Sequence, residues 1–144
     1  MKKLLLATGL IIIFAGAFVF DNKLYYPPLP IENMSKKEVI KQLNDSGKRI
    51  TKLSNENGQE WFIISERNTS AADEMIKEMI SQNGWTFKQK DGSGLFFEKQ
   101  GESLIVTTQK WTGDYMFVKI PAHFKDISGT AGAPAFLTRQ VDLI

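Results

Sequence analysis

The chain has 144 residues, of which 42% are hydrophobic and 24% charged, with no cysteine, one histidine and a formal net charge of +2. This length and composition are typical of one globular domain rather than of a disordered chain. The absence of cysteine excludes disulfides, thiolate metal sites and cysteine nucleophiles. A single histidine, His123, excludes the multi-histidine sites of most zinc enzymes, so we expect neither a metal nor a cofactor.

The first twenty residues have the pattern of a targeting segment. Lys2 and Lys3 precede an uncharged apolar run over residues 4–20. Such a run is the hydrophobic region of a signal peptide or a short membrane-spanning helix. Small residues ending at Ala17 offer a cleavage site, but the apolar run continues to Phe20, which favours an uncleaved anchor. We therefore predict a signal anchor, residues 1–20, in a bacterial plasma membrane, with a cleaved signal peptide as the alternative.

The charge distribution bears on topology and on partners. Lys2 and Lys3 account for the whole net charge, so residues 21–144 are neutral overall. A nucleic-acid-binding domain usually has a basic excess, so we exclude that class. By the positive-inside rule the N-terminus stays in the cytoplasm and the C-terminus is extracytoplasmic.

Residues 21–34 are predicted to be a linker. Three of the five prolines of the chain lie between Tyr25 and Pro30, and they favour an extended spacer. Tyr25 and Tyr26 follow the apolar run at the distance where aromatic rings often settle at a membrane interface.

The predicted extracytoplasmic domain, residues 35–121, opens with a helix. Ser35 and Glu38 have the spacing of a capping box, and Gly47 ends the apolar pattern. This segment is also basic, and we expect it to contact an anionic lipid, an anionic wall polymer or an envelope protein, with a solvated helix face as the alternative. The basic residues are Lys36, Lys37, Lys41, Lys48 and Arg49.

A hairpin and a second helix follow. The arms Ile50–Ser54 and Gln59–Ser65 flank a turn at residues 55–58. Thr69 or Ser70 is predicted to cap the helix at its N-terminus, and Gly84 stops it. Apolar residues recur at helical spacing along one face, which predicts that this face packs in the core. They are Ala72, Met75, Ile76, Met79 and Ile80. Its acidic residues are predicted to be solvated: Asp73, Glu74 and Glu78.

From Trp85 onward the sequence predicts a meander with turn-forming residues between strands. The strands are Trp85–Lys90, Leu95–Lys99, Ser103–Lys110 and Tyr115–Ile120. The predicted class is α+β: a small antiparallel sheet, made of a meander of about four strands plus a hairpin, with one or two helices packed on it. Residues 122–144 are predicted to be a flexible tail, with an edge strand or a partner-binding peptide as alternatives.

Few residues have the pattern of a catalytic site. His123 lies near Asp126 and Ser128 in sequence, but no G-x-S-x-G motif presents a nucleophile. The segment Asp91-Gly92-Ser93-Gly94 lacks the lysine of a phosphate-binding loop and is better explained as a hairpin turn. We therefore predict no catalytic residue.

Aromatic residues supply the predicted binding site. If one face of the sheet is uncovered, Phe96, Trp111 and Tyr115 form an apolar patch for a partner; otherwise they belong to the core. The resulting hypothesis is a membrane-anchored, non-enzymatic interaction module of a bacterial envelope. The alternatives are a secreted, signal-cleaved inhibitor or immunity-type protein, and a small hydrolase that uses His123.

Overall fold

The computed structural model describes residues 1–125 and confirms the α+β class. The contacts divide the chain after Lys48 into two compact units, the first containing two helices and the second a sheet with one helix. In chain order the elements are α1 (Lys2–Asp21), α2 (Lys36–Ser46), β1 (Ile50–Glu56), β2 (Gln59–Ser65), α3 (Thr69–Ser81), β3 (Thr86–Asp91), β4 (Gly94–Lys99), β5 (Glu102–Lys110) and β6 (Tyr115–Pro121).

Helix α2 forms as its local sequence predicts. The Ser35 hydroxyl accepts a hydrogen bond from the Glu38 backbone N–H at 3.2 Å, and the Glu38 carboxylate accepts one from the Ser35 N–H at 2.7 Å. This reciprocal pair satisfies two donors that the first turn of a helix leaves free. Gly47 ends the helix in the left-handed conformation, at φ +61°, which costs a glycine little.

The hairpin and the meander join in one six-stranded antiparallel sheet, in the order β1-β2-β6-β5-β4-β3. The prediction placed the hairpin and the meander in one antiparallel sheet but did not say which strands join them. The joining strands are β2 and β6, and their pairing runs from Gln59 opposite Pro121 to Ser65 opposite Tyr115. The last strand of the described chain therefore lies in the interior of the sheet.

Both edge strands of the sheet are irregular. The register of β1 against β2 shifts between Lys52 and Ser54, and that of β3 against β4 shifts between Phe87 and Gln89. Strand β1 also runs two residues beyond its predicted end, because the turn needs only Asn57 and Gly58, both at positive φ.

One face of the sheet and α3 enclose the core. Side chains alternate along β5, since Leu104 and Val106 lie in this core and Ile105 between them is exposed. Phe124, which follows the predicted end of the domain, is buried there too, and its carbonyl accepts a hydrogen bond from Trp85 Nε1 at 3.1 Å. The remainder of the predicted tail lies outside the described residues. The buried members are Phe62, Ile64, Ala72, Ile76, Ile80, Trp85, Leu95, Phe97, Leu104, Val106, Met116, Val118, Ile120 and Phe124.

Helix α3 differs from its prediction at the N-cap and at one carboxylate. Asn68, not Thr69 or Ser70, caps the helix, and its side chain accepts a hydrogen bond from the Ala71 N–H. Asp73 is buried and forms an ion pair with Lys90 of β3, so the prediction that it is solvated was wrong. Asp73 precedes Ile76 by three residues and so shares the face that packs on the sheet.

The other two acidic residues of α3 are exposed, as predicted. Glu74 forms an ion pair with Lys77 at 2.9 Å, and Glu78 faces solvent. The helix therefore presents a charged outer face and an apolar inner face, with Asp73 as the one carboxylate on the inner side.

The Asp73–Lys90 pair predicts an asymmetric response to substitution. Lys90→Met leaves a carboxylate that is only 9% exposed without its partner, and we expect it to lower the free energy of unfolding by about 3 kcal/mol. Asp73→Asn leaves a lysine that is 37% exposed and can reach water, so its effect is smaller. Denaturant unfolding of both variants measures the difference; equal losses would contradict this account.

The capping box predicts a local pH dependence. The Ser35 N–H donates to the Glu38 carboxylate and holds the pKa of that group below its ordinary value of 4.5. A group with a lowered pKa in the folded state stabilises the fold above its unfolded pKa, and this contribution is lost as the pH falls through the folded value. We expect the Ser35 amide signal in NMR spectra to move as the pH falls below 4.5. Glu38→Gln keeps the hydrogen-bond acceptor and should remove this titration.

Candidate functional site

Helix α1 leaves its apolar side chains exposed in the part of the chain that the structure describes. None of its 20 residues is buried within residues 1–125, and Leu4 and Phe20 are both largely exposed. Among the described helices it is the one long and apolar enough to cross a membrane. At about 1.5 Å per residue a helix of this length matches the hydrocarbon core of a bilayer.

Helix α1 ends abruptly just after the apolar run. Lys23 adopts a left-handed conformation at φ +57°, and its N–H donates to the Phe20 carbonyl. The Leu24 N–H donates to the Val19 carbonyl at 3.1 Å. This pair of bonds is a Schellman motif, which satisfies carbonyls that would otherwise be left free at the end of a helix.

Aromatic rings gather at this end of α1. The Tyr25 ring stacks on the Phe20 ring with centroids 6.2 Å apart, and on the Tyr26 ring at 4.7 Å. Lys23 Nζ lies 4.5 Å from the centroid of the Phe20 ring. Tyrosine and lysine at the end of an apolar helix are typical of a membrane interface, where amphipathic side chains find both apolar and polar surroundings.

The predicted basic residues near the anchor do not form one uniform patch. Lys37 forms an ion pair with Asp21 at 2.6 Å, and Lys36 Nζ donates to the Tyr26 carbonyl at 2.7 Å. Both lysines therefore contact residues at or just after the end of α1. Arg49 lies in the second unit and pairs with Glu66. The remaining two predicted residues, Lys41 and Lys48, are exposed on the first unit.

The strand register places the predicted aromatic residues on the face of the sheet opposite α3. Phe96 of β4 lies opposite Ile105 of β5, which is 47% exposed. Phe117 of β6 is on the same face, because it lies opposite Gln109, four residues after Ile105. The Trp111 ring packs 5.1 Å from Phe117, and Tyr115 lies 6.2 Å from Trp111.

These residues differ in burial and therefore in what they can contact. Trp111 is only 6% exposed, whereas Tyr115 and Phe96 are half-buried. Trp111 and Tyr115 are in contact, while Phe96 belongs to the apolar area around Ile105. A partner can reach Tyr115 and Phe96, and Trp111 serves mainly as packing beneath Tyr115.

A cleft of about 320 Å³, here called the turn-end cleft, adjoins Tyr115. It is lined by Ser65, Glu66, Arg67, Asp114 and Tyr115. The β2–β6 pairing creates this cleft. Ser65 at the end of β2 lies opposite Tyr115 at the start of β6, so Arg67 after β2 meets Asp114 before β6. Arg67 forms an ion pair with Asp114 across the cleft.

The turn that holds Asp114 and Tyr115 is well fixed. Their backbone N–H groups both donate to the Thr112 hydroxyl, at 3.1 and 3.2 Å. The Trp111 N–H donates to the Tyr115 carbonyl at 3.0 Å, which closes the turn. Lys110 Nζ donates to the Arg67 carbonyl at 2.8 Å and holds the other wall of the cleft. The site is therefore preorganised, which reduces the entropy lost on binding.

His123, the one residue considered for catalysis that the structure describes, does not line this cleft. His123 is exposed, and Asp126 and Ser128 lie outside the described residues. Gly92 has a φ of +57° in the turn between β3 and β4, in agreement with a hairpin at residues 91–94. Within residues 1–125, no group of three or more histidine, aspartate or glutamate side chains is arranged to hold a metal ion.

No protein-family model matches the chain, and no curated protein or solved structure shows significant similarity to it. The function must therefore be inferred from the arrangement of its own residues.

Proposed function

We propose that this protein is a single-pass membrane protein, with a cytoplasmic N-terminus, whose extracytoplasmic domain binds a partner protein of the bacterial envelope. Binding is non-enzymatic and uses the turn-end cleft and the adjoining aromatic face, with Tyr115 at their junction. The predicted partner-binding residues enter this proposal in different roles. Tyr115 contacts the partner, Trp111 supports Tyr115, and Phe96 extends the apolar area.

The membrane location is supported by helix α1. An apolar helix of 20 residues, none of which residues 1–125 bury, exposes a surface that a protein in water would normally cover. Lys2 and Lys3 precede it, and the positive-inside rule assigns that end to the cytoplasm.

The observation that carries the binding role is the arginine beside an aromatic pair. The Arg67 side chain is 82% exposed and lines the same cleft as Tyr115, whose ring lies 6.2 Å from that of Trp111. Tyrosine, tryptophan and arginine are the residues that dominate the energetics of protein interfaces. A fixed turn presents Trp111 and Tyr115, so a partner binds these two rings with little reorganisation.

The topology can be tested with one introduced cysteine, since the natural chain has none. Gln82→Cys places a thiol at the exposed end of α3. We expect a membrane-impermeant maleimide to label it in intact cells, on a membrane-bound species of 16.3 kDa plus the label. The unsubstituted chain gives the background.

Two outcomes would contradict this location. Labelling only after lysis would mean that the domain is cytoplasmic. A labelled but released species, shortened by cleavage after Ala17, would favour the secreted alternative.

The binding role can be tested by photo-cross-linking in intact cells. A photoreactive amino acid at position 115 should give a discrete adduct of higher mass, and the same group at position 82 should not. Arg67→Ala should reduce the adduct about thirty-fold if Arg67 is a hot spot. Lys88→Ala, on the edge strand β3, is the matched control.

Trp111→Ala is a poor test of binding, because Trp111 is buried and its loss would cost about 3–5 kcal/mol of stability. Arg67 is exposed, so Arg67→Ala should unfold at the same denaturant concentration as the unsubstituted chain. Equal adducts at positions 115 and 82, or an adduct unaffected by Arg67→Ala, would refute the cleft as the binding site.

A further inference from the structure

We propose that the end of α1 and the adjoining face of α2 form a binding site for the headgroups of anionic phospholipids in the outer leaflet. This inference rests on the proposed membrane location and adds a ligand class to it. The site is a pocket of about 260 Å³, here called the basic pocket. It is lined by Asp21, Lys23, Lys37, Ile40, Lys41, Asn44 and Asp45.

Two bonds fix the basic pocket at the depth of the lipid headgroups. The Lys37–Asp21 ion pair joins the first turn of α2 to the last residue of α1. The bond from Lys36 Nζ to the Tyr26 carbonyl adds a second connection. When α1 spans the hydrocarbon core, its end lies at the interface, and the first turn of α2 must lie there as well.

The stacked rings at the end of α1 favour the same depth. Phe20 ends the apolar run, and Tyr25 and Tyr26 continue the stack away from it. Aromatic rings of this kind are enriched at headgroup level, so the pocket opens among headgroups and not above them.

The charges of the pocket suit an anion. Lys23, Lys37 and Lys41 face Asp21 and Asp45, and the Lys37–Asp21 pair compensates one of these carboxylates. Within residues 1–125 Lys41 forms no ion pair, so its charge can be matched by a phosphate. A headgroup without a compensating cation, such as phosphatidylglycerol, gains from this excess, whereas phosphatidylcholine brings its own positive charge.

The orientation of α2 shows which of its faces is available. Val39, Ile40 and Leu43 are buried, so the apolar stripe of the helix is already used. Lys37, Lys41 and Asn44 follow a spacing of four and three residues and therefore share another face. The contact with lipid is thus electrostatic, and added salt should weaken it.

The position of the pocket favours a lipid over an anionic wall polymer. The pocket includes Asp21, the last residue of the membrane helix, and is therefore continuous with the bilayer surface. A wall polymer extends away from the membrane, so it would first contact parts of the chain that lie farther from the bilayer than the pocket.

Native mass spectrometry of the full-length chain, released from neutral detergent, can test the site. The probes are phosphatidylglycerol and phosphatidylcholine with identical acyl chains, each titrated to obtain a Kd. We expect phosphatidylglycerol to bind about five-fold more tightly, the effect of one lysine near an anionic surface. Lys41→Gln should remove most of this preference, and Lys88→Gln, the matched control on β3, should retain it.

Each contrary result has a definite meaning. Equal Kd values for the two lipids, or equal losses in Lys41→Gln and Lys88→Gln, would overturn the proposal. Inorganic phosphate or a soluble poly(glycerol phosphate) that binds as tightly as phosphatidylglycerol, with the same dependence on Lys41, would overturn the assignment to lipid. Labelling of Gln82→Cys only after lysis would refute the membrane location itself, independently of these affinities.

Discussion

The pairing of β2 with β6 is the constraint on which the sheet and the cleft both depend. It joins a hairpin near the start of the second unit to the last strand of the described chain. Without it, β2 would expose one unpaired edge, and Arg67 would not meet Asp114. Contacts so distant in sequence form late, because the loop between them must first close. The sheet therefore cannot be completed until the chain is available as far as β6.

Local signals explain why much of the architecture could be predicted. The capping box of Ser35 and Glu38, and the turn at Asn57 and Gly58, are each encoded within a few residues. The helical stripe of α3 and the alternation of β5 are equally local. Such features depend on backbone preference and periodicity, and a single sequence contains both.

The parts that could not be predicted depend on strand order. Asp73 and Lys90 meet because α3 packs over β3, and Arg67 meets Asp114 because β6 returns beside β2. No spacing rule links these pairs. The burial of Trp111 has the same origin, since composition alone allows an aromatic residue to lie in the core or on the surface.

Under the proposed membrane anchoring, the irregular edges of the sheet bear on how neighbouring copies meet. Molecules anchored by one helix diffuse in two dimensions, where collisions between neighbouring domains are frequent. A regular edge strand would offer each neighbour a template for pairing. The register shifts in β1 and β3 interrupt that template at both edges, and Lys88 adds charge to one of them. Neither edge of the sheet therefore offers a regular strand along which a second copy could pair.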